Sequence, residues 1–323
     1  MGIDSIGSPA LWLGFVACVL GLLALDLGVF HRKAHEVRFR EALGWSVAWV
    51  SLAMLFNLGV YYWFGPERAL EFLAGYLIEK ALSVDNVFVF LVLFSHFAVP
   101  PAYQHRVLFW GIVGALVMRA VFIVLGAALL AAFHWVLYLF GALLVVTGLK
   151  MLRAGDEPVR PEQSPVYRWF TRLVPSVPGY RGARFWVVEQ GRWMATPLLL
   201  VLVAIEATDL VFAIDSIPAI FAVTRDPFIV FTSNIFAILG LRAMFFMLAG
   251  VMGRFAYLKT GLALVLVFVG TKMLVSDLYA MPIAVSLGVV AALIGGAIVI
   301  SLLATRRTGQ PDGRQISPTG VRP

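Results

Sequence analysis

The chain alternates long apolar runs with short polar breaks, and the runs have the length of membrane helices. Nine stand out: Leu11–Phe30, Leu43–Phe64, Phe72–Phe94, Val107–Ala131, Trp135–Leu152, Ala195–Val223, Phe228–Met252, Leu258–Val275 and Met281–Leu303. A helix needs about 20 apolar residues to cross hydrocarbon, where every backbone polar group must be satisfied internally. Punctuation falls between the runs, with Pro100–Pro101 after the third, Asp226–Pro227 before the seventh and Met281–Pro282 opening the ninth. The pattern predicts an all-α polytopic membrane protein of about nine transmembrane helices, with residues 1–304 forming a single transmembrane domain.

Composition agrees with the pattern. Of 323 residues, 61% are hydrophobic and 13% charged, and the mean hydropathy is +0.91. A soluble domain has about 45–50% apolar and about 25% charged residues, so a soluble reading would require a core almost without surface and is excluded. The formal charge of +7 does not indicate a nucleic-acid partner, because the basic residues sort to one side of the predicted membrane. Arg32, Lys33, Arg38, Arg40, Arg106, the seven arginines from Arg153 to Arg192, Arg254, Lys259 and four arginines of the tail make 18 on one side. Only Arg68 and Arg225 lie opposite. Basic loops stay in the cytoplasm, so the N-terminus is expected outside and the C-terminus in the cytoplasm.

The N-terminus shows neither a basic leader nor a clear cleavage site, so the first run is expected to remain as a helix. The basic loop 153–193, rich in aromatics, reads as a partly ordered cytoplasmic connector, with headgroup binding or a protein partner as other readings. Residues 305–323 read as a disordered cytoplasmic tail. Cys18 is the only cysteine, which excludes an internal disulfide and a dithiol redox centre. His31, His35, His96, His105 and His134 fall at span ends or in loops without HxxxH spacing, as solvated or interfacial side chains do.

An internal repeat is visible. GLKML at Gly148–Leu152 returns as GTKML at Gly270–Leu274, Arg119-Ala120 as Arg242-Ala243, and Phe97-Ala98-Val99 as Phe221-Ala222-Val223, at offsets of 122, 123 and 124. Spans three to five (72–152) thus correspond to spans six to eight (195–275). Three spans is an odd number, so the second unit would enter the membrane inverted, as in secondary transporters. An offset of 124 sets Asp85 on Asp209; an offset of 130 sets Glu79 on Asp209 and Asp85 on Asp215. The sequence leaves both registers open.

The two acidic spans of this repeat carry the candidate chemistry. Glu79 and Asp85 lie in the third run, and Glu206, Asp209 and Asp215 in the sixth. A charged side chain at the bilayer centre costs about 2.5–3.5 kcal/mol on insertion scales, so five acids require partners, water or a bound cation. Glu206 and Asp209, three residues apart, share a helix face. Asp215 lies six residues beyond Asp209, about 120° around a straight helix, and Pro218 is expected to kink the helix and swing Asp215 back.

Carboxylates with the neutral oxygens of Asn86, Thr208 and Ser216, and without Cys or His, suit a hard divalent cation such as Mn²⁺, Mg²⁺ or Ca²⁺. Exchange against protons is a natural coupling for carboxylates in low dielectric. Bases are present too. Lys150 and Lys272 near span ends are expected to snorkel, whereas Lys80, Arg119 and Arg242 are candidate gating or counter-ion residues and Asp26 is a further candidate acid. Internal pairing among these charges is the alternative to cation binding.

The stretches ALDLGVFHRKAHEVRFREAL, EKALSVDNVFVF, EATDLVFAIDSIPAIFAVTRDPFIVFTSNIFAILGLRAMFF and GTKML resemble the TerC family of integral membrane proteins, in its Alx-like branch. The resemblance runs from about Ala24 to the ninth span. It implies Mn²⁺ efflux across the inner membrane, with the family's acidic membrane residues carried by Glu79, Asp85, Glu206, Asp209 and Asp215. The expectation is a secondary transporter exporting Mn²⁺ or a related hard divalent cation. It would be no enzyme, would carry no prosthetic group, and would have the bilayer and the cation as partners and no nucleic acid. A non-transporting membrane scaffold of a tellurite or stress-resistance complex is the competing expectation.

Overall fold

A computed structural model of the chain describes residues 5–30, 39–153, 165–189, 191–249, 257–279 and 281–307. In chain order the elements are α1 (Pro9–Phe30), α2 (Phe39–Phe64), α3 (Pro66–His96), α4 (Pro101–Ala132), α5 (Val136–Arg153), α6 (Pro165–Leu173), β1 (Trp186–Glu189), β2 (Arg192–Ala195), α7 (Pro197–Phe221), α8 (Pro227–Leu239), α9 (Leu241–Ala249), α10 (Leu258–Leu274) and α11 (Ile283–Arg307). Over most of its described length, each apolar run of the sequence lies on helix. The stretches Phe39–Phe64, Pro101–Ala132, Val136–Arg153, Pro197–Phe221, Pro227–Leu248 and Ile283–Ser301 are long and apolar enough to cross a membrane, making six among the described residues.

Proline starts α3, α4, α7 and α8. At a first helical position its missing N–H costs nothing and its fixed φ is already helical. Asp226 caps α8 by accepting from Phe228 N at 2.9 Å, and its carboxylate also takes Ser5 Oγ at 2.7 Å and Ile6 N at 2.8 Å. One buried acid thereby straps the N-terminal segment to the start of α8. Phe15, Phe56, Phe72 and Phe236 then interlock α1, α2, α3 and α8, with ring centroids 4.9–6.0 Å apart.

Helix packing divides the molecule into a centre and a rim. The apolar window within Pro227–Leu248 has 94% of its residues buried, whereas those of α2 and α11 have 17% buried and leave most of their surface for lipid. In the centre α3 packs on α7 and α8, and α4 on α7. α5 and α10 lie along each other, and glycine permits their approach. A Cβ on Gly148 would stand 2.7 Å from Ala263 O, and one on Gly270 would stand 2.7 Å from Gly141 O. The contacts run in opposite chain order, so the two helices are antiparallel.

Three features depart from the sequence-based picture. The seventh run is two helices, α8 and α9, broken at Gly240. There Lys80 Nζ donates to Ala237 O at 3.3 Å, in the place where a glycine Cβ would meet the ammonium at 2.7 Å. The loop before α7 is folded: it holds α6 and an antiparallel β1–β2 hairpin pairing Trp186 with Ala195 and Val188 with Trp193. This cap is tied to the spans by Tyr180 Oη donating to Phe97 O at 2.6 Å and Thr196 Oγ1 donating to Arg184 O at 2.6 Å. Finally, α11 continues to Arg307, into the stretch expected as tail, whose remainder (308–323) lies outside the described residues.

A candidate intramembrane charge site

Three central helices meet at one guanidinium, and a fourth reaches it through an amide. Arg119, on α4, is 1% exposed. Its Nη1 donates to Glu79 of α3 and, at 3.0 Å, to Ser216 Oγ of α7. Its Nη2 and Nε reach the two oxygens of Asp209 on α7 at 3.3 and 3.4 Å. Arginine suits this position because its planar fork presents several donors in fixed directions, so one cation can serve two carboxylates. Buried charge is tolerated only when paired and hydrogen-bonded, and here both conditions hold.

Amides complete the ring. Asn86 Nδ2, one side of α3, donates to Asp209 Oδ1 at 3.0 Å, and Asn234 Nδ2, on α8, donates to Glu79 Oε2 at 3.0 Å. Ser83 Oγ lies 3.5 Å from the other Glu79 oxygen. With each Nδ2 committed to a carboxylate, each Oδ1 is fixed by elimination as the acceptor end. The Oδ1 atoms of Asn86 and Asn234 are buried and accept no hydrogen bond from a described residue. Tyr76 Oη, one turn before Glu79, is also buried without a hydrogen-bond partner among the described residues. Buried polar atoms are nearly always satisfied, so unsatisfied acceptors beside two carboxylates mark a place for a ligand or water.

The remaining candidates are placed differently. Asp215 accepts from Thr147 Oγ1 of α5 at 3.0 Å, so the expected swing toward Glu206 and Asp209 does not occur; α7 passes Pro218 as one helix and α5 supplies a nearer donor. Glu206 makes no hydrogen bond or ion pair with a described residue. Its carboxylate lies against α4 at Gly114, where any Cβ would collide with it. Thr208 Oγ1 donates at 2.8 Å to Ile205 O of its own helix and does not join the ring. Lys80 serves the break at Ala237, and Arg242 is buried on α9. Asp85 and Asp26 lie on α3 and α1, with side chains outside the described residues. Among the described residues no three Asp, Glu, His or Cys side chains converge as a metal cluster. Sequence reasoning missed Asn234, Thr147 and Gly114. The signal for Asn234 was an amide in the apolar stretch FTSNIF, which deserves the same scrutiny there as an acid.

At one end of the bundle a cavity of about 740 Å³ opens between the starts of α3 and α5 and the ends of α4, α7 and α10. Glu71, Arg68, Thr224, Asp226, Lys272 and His134 are among its lining residues. Glu71 takes Arg68 Nη1 at 2.9 Å and Thr224 Oγ1 at 2.8 Å. At the rim, Tyr138 and His134 both bond Asp277 just past α10. The Tyr138 hydroxyl first, and His134 second, hold the Asp277 carboxyl below the usual aspartate range.

A helical bundle with apolar outer helices and a fully enclosed ion network defines a polytopic integral membrane protein. The chain belongs to the TerC family of integral membrane proteins, whose model matches residues 64–309. It is 59% identical over 308 residues to an uncharacterised membrane protein of Myxococcus xanthus, covering 95% of this chain and 97% of the relative. It is 49% identical to the "Putative membrane-bound redox modulator Alx" of Salmonella typhi, over 92% of this chain and 95% of the relative. The protein of the same name from Escherichia coli K12 is 48% identical, over 92% and 96%. No solved structure matches the chain significantly.

Proposed function

We propose that the protein is a secondary transporter that exports Mn²⁺, or a related hard divalent cation, across the bacterial inner membrane by proton antiport. The observation that carries this reading is the oxygen-rich ring around Arg119. It holds two carboxylates and the two unsatisfied amide oxygens of Asn86 and Asn234, all deep in the bundle. Hard cations take carboxylate and amide oxygens and have no need of sulfur or imidazole. In the conformation at hand Arg119 neutralises the acids. A cation would bind as the guanidinium withdraws, joined by Glu206 of α7, which makes no hydrogen bond or ion pair with a described residue, and by Asp85 of α3, one residue before Asn86. No catalytic group and no prosthetic group enter this scheme; the cation is cargo.

The packing supports nine spans in an inverted repeat. Helix contacts pair as a two-fold axis requires: α3 with α8 as α4 with α7, and Gly148–Ala263 as Gly141–Gly270. The two registers left open by the sequence apply to different halves of the acidic helices. Pro66 and Pro197 start α3 and α7 at an offset of 131, and Glu79 with Ser216 mirrors Asp209 with Asn86 at 130. Phe97 and Phe221 at the helix ends then match at 124, and α7, with 25 residues against 31 in α3, is six residues shorter. Repeat interfaces at the midplane are where such transporters bind their ions. The arginine-rich cap side is cytoplasmic by the charge rule, which faces the 740 Å³ cavity outward.

Purified protein in liposomes should move Mn²⁺ unaided, and Asp209→Asn should abolish the flux while the protein remains folded. Inert liposomes would turn the choice to the scaffold reading, which the Arg119 pairing favours because it leaves the central acids internally compensated. A redox role by dithiol exchange has no support in a chain whose one cysteine is Cys18.

A further inference from the structure

We infer that the folded segment Pro165–Ala195 is a lipid-binding cap that seats on anionic phospholipid headgroups of the membrane in which the protein is embedded. Its outer surface is apolar where a soluble loop would be polar. On α6, Trp169 and Leu173 are four residues apart on one face, 65% and 61% exposed. On the hairpin, Trp186 and Val188 share a face by the two-residue period of a strand, and Trp193 lies directly across from Val188. All three are exposed, Trp193 to 69%. Tryptophan is enriched where membrane meets water, because its ring is apolar and its N–H polar.

Charge complementarity names the occupant. Between Pro165 and Ala195 stand Arg168, Arg172, Arg181, Arg184 and Arg192 against the single described acid Glu189, which is taken by Arg181 at 3.1 Å. Arg168, Arg172, Arg184 and Arg192 make no ion pair with a described residue. Aromatic anchors beside unpaired arginines match the surface of an anionic leaflet, which attracts each basic side chain within a Debye length. The height of the cap is fixed as well. Tyr180 is bonded to the end of α3, Arg184 O to Thr196 beside the first turn of α7, and Phe185 lies under Arg106 of α4 at 5.4 Å. The exposed rings therefore sit a few residues from the ends of three central helices, and the packing that holds the cap leaves them exposed.

The test is a depth measurement in lipid nanodiscs. Nitroxide labels at Trp193→Cys and, separately, Leu173→Cys in a Cys18→Ser background would be compared with and without phosphatidylglycerol in phosphatidylcholine. Docking is expected to shield both labels from a water-soluble relaxation agent and expose them to oxygen in the anionic discs. The variant Arg168→Glu/Arg172→Glu/Arg192→Glu should return both labels to water there, with the preference for anionic lipid falling about fivefold per arginine removed. Labels equally wetted in both lipids would overturn the inference. So would shielding that survives the charge reversal, or that appears only at high protein density or on adding cytosolic protein. Two label sites keep the test standing should one variant fail to fold, and its outcome is independent of whether the protein moves a cation.

Discussion

Replacing Arg119 by methionine removes the cation that, among the described residues, alone touches both central carboxylates, while keeping a long, flexible side chain in its place. Glu79 and Asp209 would each lose their charged donor in a position 0% and 2% exposed, retaining one amide apiece from Asn234 and Asn86. Breaking a buried pair from one side costs about 3–5 kcal/mol, because it strands the opposite charge. At about 2–4 °C per kcal/mol for larger domains, thermal unfolding in detergent should fall by about 6–20 °C. Two further arms separate causes. In Arg119→Met/Glu79→Gln/Asp209→Asn no charge is stranded, and removing a whole buried ion group is often close to neutral, so most of the loss should return. In the single variant, Mn²⁺ at a hundred times its dissociation constant should return about 2.7 kcal/mol, which is over half of the expected loss. A single variant shifted by less than about 3 °C, or a triple variant no more stable than the single, would refute the ion-network account. Indifference to Mn²⁺ in the presence of a large loss would instead refute the cation site and leave the network standing.

Other expectations follow from single contacts. Gly114→Ala meets only the mobile end of Glu206, so it should reduce Mn²⁺ flux in liposomes with under about 1 kcal/mol of destabilisation; unchanged flux would show that Glu206 is a bystander. Gly270→Ala places a methyl against Gly141 O at 2.7 Å and Leu144 Cβ at 2.9 Å, an overpacking cost of about 1–3 kcal/mol. That outweighs the helical gain of about 1 kcal/mol. Gly288→Ala, in open space on α11, should instead raise the melting temperature, and equal signs in the two variants would deny the close α5–α10 crossing. Asp277, held below its ordinary value of 3.8 by Tyr138 and His134, favours the folded state above that pH and stops doing so as pH falls through its lowered value. The stability gap between wild type and Asp277→Asn should thus hold from neutral pH to about 4 and close below it; a gap that widens in acid would contradict the latch.

The sequence by itself determined the helices, and with them the membrane. Lipid leaves the backbone no partner but itself, so a run of about 20 apolar residues has one solution, and prolines at Pro66, Pro101, Pro197 and Pro227 set where four helices begin. It also singled out Glu79, Asp209, Arg119, Asn86 and Ser216, since polar groups in apolar runs are costly wherever they point. Which of them meet was decided only by the packing. Asp215 turned to Thr147, Thr208 to its own helix, and Glu79 to Asn234, 155 residues away. Spacing along one helix fixes a direction, but a hydrogen-bond partner depends on which neighbour comes close, and that is set by glycines such as Gly114, Gly141 and Gly270 at the crossings. The break at Gly240 and the cap before α7 were hidden for the same reason. A lysine from α3 replaces a helical hydrogen bond in one, and bonds to distant helix ends hold the other. Local pattern specified each element, and long-range contact alone specified the site.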